Sequence, residues 1–413
     1  MSTRTFPQAH NPQVHNPFIL APISKKRNPF LDALQHIEYG HMTIVEPDGK
    51  TLEFSGHEKG PSAQLRLHDW EVLDDLIARG EMGFADAYID GRWDTDNLPL
   101  LLTFGLVNSQ SLEKFFYGRP LYALWLRLRY FLQGNTLSGS KKNIMAHYDL
   151  GNDFYSLWLD ESMTYSCALF DGHTDRSLEV AQTAKYRRIL EKLEALPGDH
   201  ILEIGCGWGG FAEFAARHGM KVTAVTISEK QAGYAKQRIA KLGLEHLASI
   251  KVIDYRKMEG KFDHIVSIGM FEHVGEKYWP VYFDTVKNHL KPDGKAMIQT
   301  ITLDDYLFES LQGKSGFMEQ VIFPGGMLPS KSRFYAAAEH AGLQCREIYA
   351  FGQDYARTTS IWLSRFEEQK QTIKSMGYDE TFIRLWRFYL SCCIASFTSH
   401  RTDVMQAELR HAI

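Results

Sequence analysis

The run His200-Ile201-Leu202-Glu203-Ile204-Gly205-Cys206-Gly207-Trp208-Gly209-Gly210 carries the strongest chemical signal in the chain. Ile201, Leu202 and Ile204 read as a short strand buried on both faces. Phe211-Ala212 and Phe214-Ala215-Ala216 read as the helix that follows. Between them, glycines at alternate positions let the backbone turn sharply and lie close to a ligand. A dinucleotide turn wants G-x-G-x-x-G, whose N–H groups hold a pyrophosphate. Here the spacing is E-x-G-x-G-x-G, with Glu203 two residues before Gly205 and Gly207 beyond it.

That pattern resembles motif I of S-adenosylmethionine (SAM) methyltransferases. SAM has no phosphate, so its zwitterionic end lies against such a turn. A carboxylate there can orient the ammonium group or the backbone of the turn. A plain tight turn in an α/β protein remains the alternative. The next strand ends in Thr226, Ile227 and Ser228, followed by Gln231. Many nucleotide-binding sheets place an acid here for the ribose hydroxyls. Thr226, Ser228 and Gln231 offer uncharged hydrogen bonds instead, and Ser228 can equally cap a helix. Asp254 and Tyr255 follow the third strand, where a carboxylate can reach an adenine amine and a ring can stack.

Glu272 and His273 end the fourth strand. Chemistry in open α/β sheets sits at the carboxyl ends of strands, so the pair is a candidate acid/base or charge-stabilising site. A capping carboxylate is the alternative. Upstream, 146–155 and Met163-Thr164-Tyr165-Ser166-Cys167-Ala168 precede the sheet and are expected to cover the ligand, with aromatic faces toward a sulfonium.

These groups need a doubly wound α/β sheet. Strands are expected at 200–204, 221–226, 250–253, 263–268, 295–301, 345–350 and 359–364, the last two forming an antiparallel edge. Residues 1–28 read as a disordered tail without an apolar signal segment. Residues 29–133 form an accessory domain, 134–142 a linker and 143–413 the catalytic domain. The 413 residues are 44% hydrophobic, enough for two domains. The net charge of −4 gives no whole-chain case for nucleic acid. Five cysteines without zinc-ligand spacing argue against a disulfide framework or a metal site and suit a reducing cytosol. No apolar stretch is long enough to cross a bilayer. The segment 119–133 sets Arg119, Arg127 and Arg129 among large apolar residues, as in a helix lying on an anionic membrane. A helix packed on protein is the alternative.

Further motifs occur in order: His147-Tyr148-Asp149-Leu150-Gly151-Asn152, Ile322-Phe323-Pro324-Gly325-Gly326, Leu328-Pro329-Ser330 and Phe351-Gly352-Gln353-Asp354-Tyr355. With Tyr165–Ala168, the glycine turn and Gly269–Gly275, they resemble the cyclopropane-fatty-acyl-phospholipid synthase family, including the mycolic acid cyclopropane synthases. The match is dense over 143–400. The N-terminal third resembles the accessory domain of the bacterial phospholipid enzymes more loosely.

The resemblance implies a seven-stranded class I methyltransferase sheet. It implies transfer of a SAM methyl to a cis double bond in a phospholipid acyl chain, then ring closure with loss of a proton. It also implies a bound bicarbonate ion, held by the backbone near Cys167 and Ile301 and by the side chains of Glu272 and Tyr355. It implies a cytoplasmic protein on the inner face of the membrane, and a homodimer is expected. One position departs from the family pattern: Gln299-Thr300-Ile301 stands where His-Thr-Ile is usual. Glutamine hydrogen-bonds an anion but takes up no proton at neutral pH. Weaker base strength would divert the cation to a methyl-branched or methylene product. A small-molecule methyltransferase and a non-catalytic lipid-binding protein are the competing classes. The first would not require vesicles; the second is disfavoured because the glycine turn and Glu272 are both present.

Overall fold

The computed structural model describes residues 28–122, 124–125, 150–311 and 316–412. The expected tail to residue 27, the linker 134–142, most of the basic segment 119–133 and His147-Tyr148-Asp149 lie outside the described residues. The chain divides into two compact units: one ends at Pro120 and takes in Gln371–Phe388, and the other holds Leu121–Lys370 and Tyr389–Ile413. The stretch 371–388, expected in the catalytic domain, therefore groups with the N-terminal residues.

The N-terminal unit carries a four-stranded sheet of β1 (Tyr39–Val45), β2 (Thr51–Ser55), β3 (Glu58–Leu67) and β4 (Trp93–Asp94), in the order β2-β1-β3-β4. Trp93 is fully buried and stacks on Phe84 with ring centroids 4.2 Å apart. Its indole N–H donates to the Phe84 carbonyl, which satisfies the polar edge that burial would otherwise strand. Arg384 donates to the Trp93 carbonyl and to Asp94, both at 2.9 Å. Those bonds tie 371–388 into this unit.

The larger unit contains β5 (His200–Ile204), β6 (Lys221–Thr226), β7 (Ala248–Val252), β8 (Phe262–Ile268), β9 (Leu290–Leu303), β10 (Leu343–Ala350) and β11 (Thr402–His411). Their order is β10-β11-β9-β8-β5-β6-β7. The central strands pair in parallel, and β11 alone runs antiparallel to both its neighbours, β9 and β10. Successive residues of a strand face opposite sides. Accordingly Leu202, Ile204, Ile265 and Ile298 join one apolar cluster with Phe271, Trp279 and Phe334. Ile201, Val266 and Met297 join the other, with Ile189, Phe211 and Ala215.

The seventh strand corrects the sequence expectation. Residues 359–364 lie inside the helix Gly352–Glu368. Its buried positions Thr358, Thr359, Trp362 and Phe366 recur at helical spacing, and that period overrides the β-branched and aromatic character of the run. The strand is instead Thr402–His411, whose buried Gln406 and Glu408 hide its apolar pattern. It inserts between β9 and β10, so the last two strands do form the expected antiparallel pair at this edge of the sheet, with β10 outermost.

Candidate active site

The cleft at the carboxyl ends of β5, β6 and β8 encloses about 1120 Å³, open space at its mouth included, a size suited to a nucleoside-sized ligand. Tyr165, Ser166, Glu203, Gly205, Gly207, Thr226, Gln231, Asp254 and Tyr255 all line it. The glycine turn is pinned by the Val225 carbonyl, which accepts from both Gly205 and Cys206 at 3.0 Å. Gly205 has φ +87°, and a Cβ there would lie 2.8 Å from Met270 Cγ. The turn thus requires glycine on both backbone and steric grounds.

Glu203 is buried, and its Oε2 has no hydrogen-bond partner among the described residues. Burial drives its pKa up to about 8, against the opposing pull of Arg238. A buried carboxylate beside the cleft with one oxygen unpaired suits a cationic ligand group. Thr226 donates to Gln231 Oε1 at 3.1 Å, so Gln231 offers chiefly its N–H donors. Ser228 does not line the cleft. It caps the helix Glu229–Lys241, its Oγ accepting from the Gln231 N–H at 3.3 Å. Asp254 has a partner that sequence reading missed: Arg256 donates to both its oxygens, at 2.8 and 2.6 Å. Burial opposes the charge of Asp254, and the Arg256 guanidinium outweighs it and holds the pKa below the usual range.

Glu272, Gln299, Ile301, Cys167 and Tyr355 form a second cluster. None lines the cleft, but Ser166 and His273, adjacent to Cys167 and Glu272 in sequence, do. Glu272 is buried and its Oε1 accepts from the Ile301 N–H at 2.7 Å, while Oε2 has no hydrogen-bond partner among the described residues. Burial lifts its pKa to about 7. Gln299 donates to the Cys167 carbonyl across 3.5 Å and accepts from Gln406 at 3.0 Å. Tyr355 packs against the cluster of Cys167, Leu169, Phe351 and Val404, and its ring lies 4.6 Å from Phe397. Val404 pairs with Ile301 in the β9–β11 register. Burial pushes the Cys167 thiol well above its ordinary pKa, which disfavours the thiolate form. His273 is held neutral, its pKa driven down to about 4 by burial.

The helix Leu178–Leu193 supplies groups that sequence reading passed over. Gln182 donates to the Ser166 carbonyl at 3.0 Å, Lys185 to Ser166 Oγ at 2.7 Å, and Tyr186 bonds Thr164 at 2.7 Å. Lys185 is fully buried, which lowers its pKa to about 7. These residues alternate with Leu178, Ala181, Ile189 and Leu193 on the buried stripe. Polar side chains in an apolar stripe were the available signal. On the other side of the turn, Asn152 accepts from the Trp208 indole at 2.8 Å, and Tyr155 packs 5.1 Å from that ring. The described part of the upstream segment therefore sits on the glycine turn.

Comparison with known proteins agrees with this geometry. The profile of the mycolic acid cyclopropane synthetase family matches residues 136–407. The chain is 33% identical to tuberculostearic acid methyltransferase UfaA1 of Mycobacterium tuberculosis, over 88% of this chain and 86% of that one. It is 34% identical to the cyclopropane-fatty-acyl-phospholipid synthase of Escherichia coli K12, over 83% and 87%. The solved cyclopropane synthase MmaA2 of Mycobacterium tuberculosis superposes with a TM-score of 0.61 at 30% identity, covering 65% of this chain and 97% of that one. Mycolic acid cyclopropane synthase CmaA1, solved with S-adenosylhomocysteine (SAH) and CTAB, gives the same TM-score and identity. Sheet order, glycine turn and sequence agree: the chain belongs to the mycolic acid cyclopropane synthetase family of SAM-dependent methyltransferases.

Proposed function

We propose that the protein transfers the methyl carbon of SAM to the cis double bond of an unsaturated acyl chain in phospholipid and closes a cyclopropane ring. The observation that carries this is the pairing of the glycine-turn cleft, lined by His273, with the adjacent buried Glu272, one oxygen of which is unpaired among the described residues. In this reading Glu203 faces the ammonium of SAM, and Thr226 and Gln231 hold its ribose. Tyr165 and neighbouring rings present π-faces to the sulfonium. Trp158 and Trp362 lie 5.5 and 5.2 Å from the Tyr165 ring.

The alkene attacks the methyl carbon as its bond to sulfur breaks, releasing SAH. The carbocation then loses a proton from the added methyl, and the electrons of that C–H bond close the ring. An alkene is a weak nucleophile, so the residues must exclude water and align the two groups. A bound bicarbonate would supply a base for the proton. Glu272 suits it: with its pKa near 7, its unpaired oxygen can donate to an anion as a carboxylic acid. The peptide at Cys167 and the side chain of Tyr355, through its hydroxyl, complete that set. The Ile301 N–H is already given to Glu272, so Ile301 acts through that side chain.

The substrate chain is presented at a phospholipid surface, with the protein on its cytoplasmic side. The basic apolar run from Arg119 supports this, as do Leu121 and Leu124, 66% and 53% exposed. No described helix is long and apolar enough to cross a membrane.

The decisive assay is transfer of label from methyl-labelled SAM to vesicles of an unsaturated phospholipid. Absence of label in the lipid fraction refutes the reading. Gln299 motivates one alternative, loss of a different proton to give a methyl-branched or methylene product. Both products gain one carbon, so the ring protons must be sought by NMR.

A further inference from the structure

We propose that Gln406 and Arg188 are positioning residues for the reaction, orienting the Gln299 amide so that it donates to the peptide at Cys167 instead of accepting the proton released. The inference rests on the methyl-transfer reading above. Gln299 and Gln406 stand opposite each other in the β9–β11 register, and each is 1% exposed. Arg188 Nη1 donates to Gln406 Oε1 at 2.6 Å. A guanidinium has donors only, so the oxygen of Gln406 must face it. The amide nitrogen of Gln406 then faces Gln299 and donates to its Oε1 at 3.0 Å. The Gln299 nitrogen is left toward the Cys167 carbonyl, at 3.5 Å. A carbonyl only accepts, so the polarity of the chain is set from both ends. Neither amide can flip without opposing two donors or two acceptors in a dry interior.

The outer end is itself anchored. Arg188 donates to Glu347 at 2.9 Å, Lys192 holds the other oxygen of Glu347 at 2.7 Å, and the guanidinium lies 4.2 Å from the Tyr349 ring. At the inner end, Gln182 holds the preceding carbonyl of Ser166, and Thr358 Oγ1 accepts from the following N–H of Ala168 at 3.1 Å. The peptides around Cys167 are thus gripped on three sides, Gln299 being the grip that reaches across the sheet.

A neutral imidazole presents the same pattern, one ring nitrogen accepting and the other donating. Gln406 would donate to the first, and the second would donate to Cys167. Glutamine at 299 therefore preserves what the clamp uses and lacks only an ionisation that the clamp does not use.

The test is the labelled-SAM assay on vesicles of an anionic phospholipid with two cis-unsaturated chains, using the full chain. Gln299→His is expected to stay within about threefold of the parent kcat with an unchanged kcat–pH profile. Gln406→Leu and Gln299→Leu should each lower kcat about tenfold or more while the SAM dissociation constant, read by calorimetry, holds within about twofold. Their double variant should be no worse than either single one, as for groups acting as a unit. Parent-like kcat in Gln406→Leu overturns the proposal. So does a faster Gln299→His with a new ionisation between about pH 6 and 8, because position 299 would then be taking the proton. Gln299→His keeps the test decisive if a leucine variant fails to fold. No transfer by the parent protein sinks the methyl-transfer reading and the inference with it; transfer with either overturning result sinks the inference alone.

Discussion

Glu272→Gln separates the proposed catalytic use of the carboxylate from its cost to stability. The Glu272 pKa rises from 4.5 to about 7 on folding because burial disfavours the charge. Between those values the folded state binds more protons than the unfolded one, so stability falls as pH rises through the window. Integrating the two titrations from about pH 5 to about pH 8.5 gives a loss of about 2.5 kcal/mol from this one group. Glutamine cannot ionise and loses nothing over that range. Its carbonyl can keep the 2.7 Å bond from the Ile301 N–H, while its amide donors lack an acceptor at a cost of about 1–2 kcal/mol. That cost does not depend on pH and cancels when the variant-minus-parent difference is compared at the two pH values. The stability of Glu272→Gln relative to the parent should therefore rise by about 2.5 kcal/mol from about pH 5 to about pH 8.5. Urea unfolding at each pH, with slopes compared to confirm the same transition, measures this. A flat difference across the range refutes the assignment of Glu272 as a buried acid with a raised pKa. The same variant should lose turnover and retain SAM binding; full activity would remove Glu272 from the site.

Glu203→Gln should weaken SAM binding about tenfold or more through loss of a charge-assisted bond to the ammonium, and unchanged affinity by calorimetry would argue that Glu203 only braces the turn. Gly205→Ala combines φ +87° with a Cβ 2.8 Å from Met270, so it should cost about 1–2 kcal/mol or more of stability and lower SAM affinity; parent-like behaviour in both would count against the tight turn. Cys167 should resist iodoacetamide at mildly alkaline pH, as a buried thiol with a raised pKa, and its prompt alkylation in the native protein, seen by mass spectrometry, would contradict that environment.

The cleft was legible because its parts are local. Glu203, Gly205, Gly207, Thr226, Gln231, Asp254 and Tyr255 each lie at or just past a strand end, and the sheet brings those ends together. Ser228 was ambiguous for the same local reason: a hydroxyl before a helix serves a ligand or a cap, and here it caps. The edge of the sheet was less legible. Thr359–Ser364 has strand composition within a helical period, while β11 carries buried Gln406 and Glu408 where an apolar residue would have announced a strand.

Missing β11 also removed the means to judge Gln299. From sequence alone, Gln299 is a site residue that has lost a titratable ring, and a weaker base is the natural consequence. Its meaning changes once Gln406 stands opposite it and Arg188 stands behind Gln406. Those partners are separated from Gln299 by more than a hundred residues on each side, and no short spacing links them. A lone glutamine can turn either edge of its amide to a neighbour, so its residue type does not define its function. A donor-only guanidinium at one end and an acceptor-only carbonyl at the other remove that freedom. What stands at position 299 is then defined by the direction of its hydrogen bonds and not by whether its side chain can ionise.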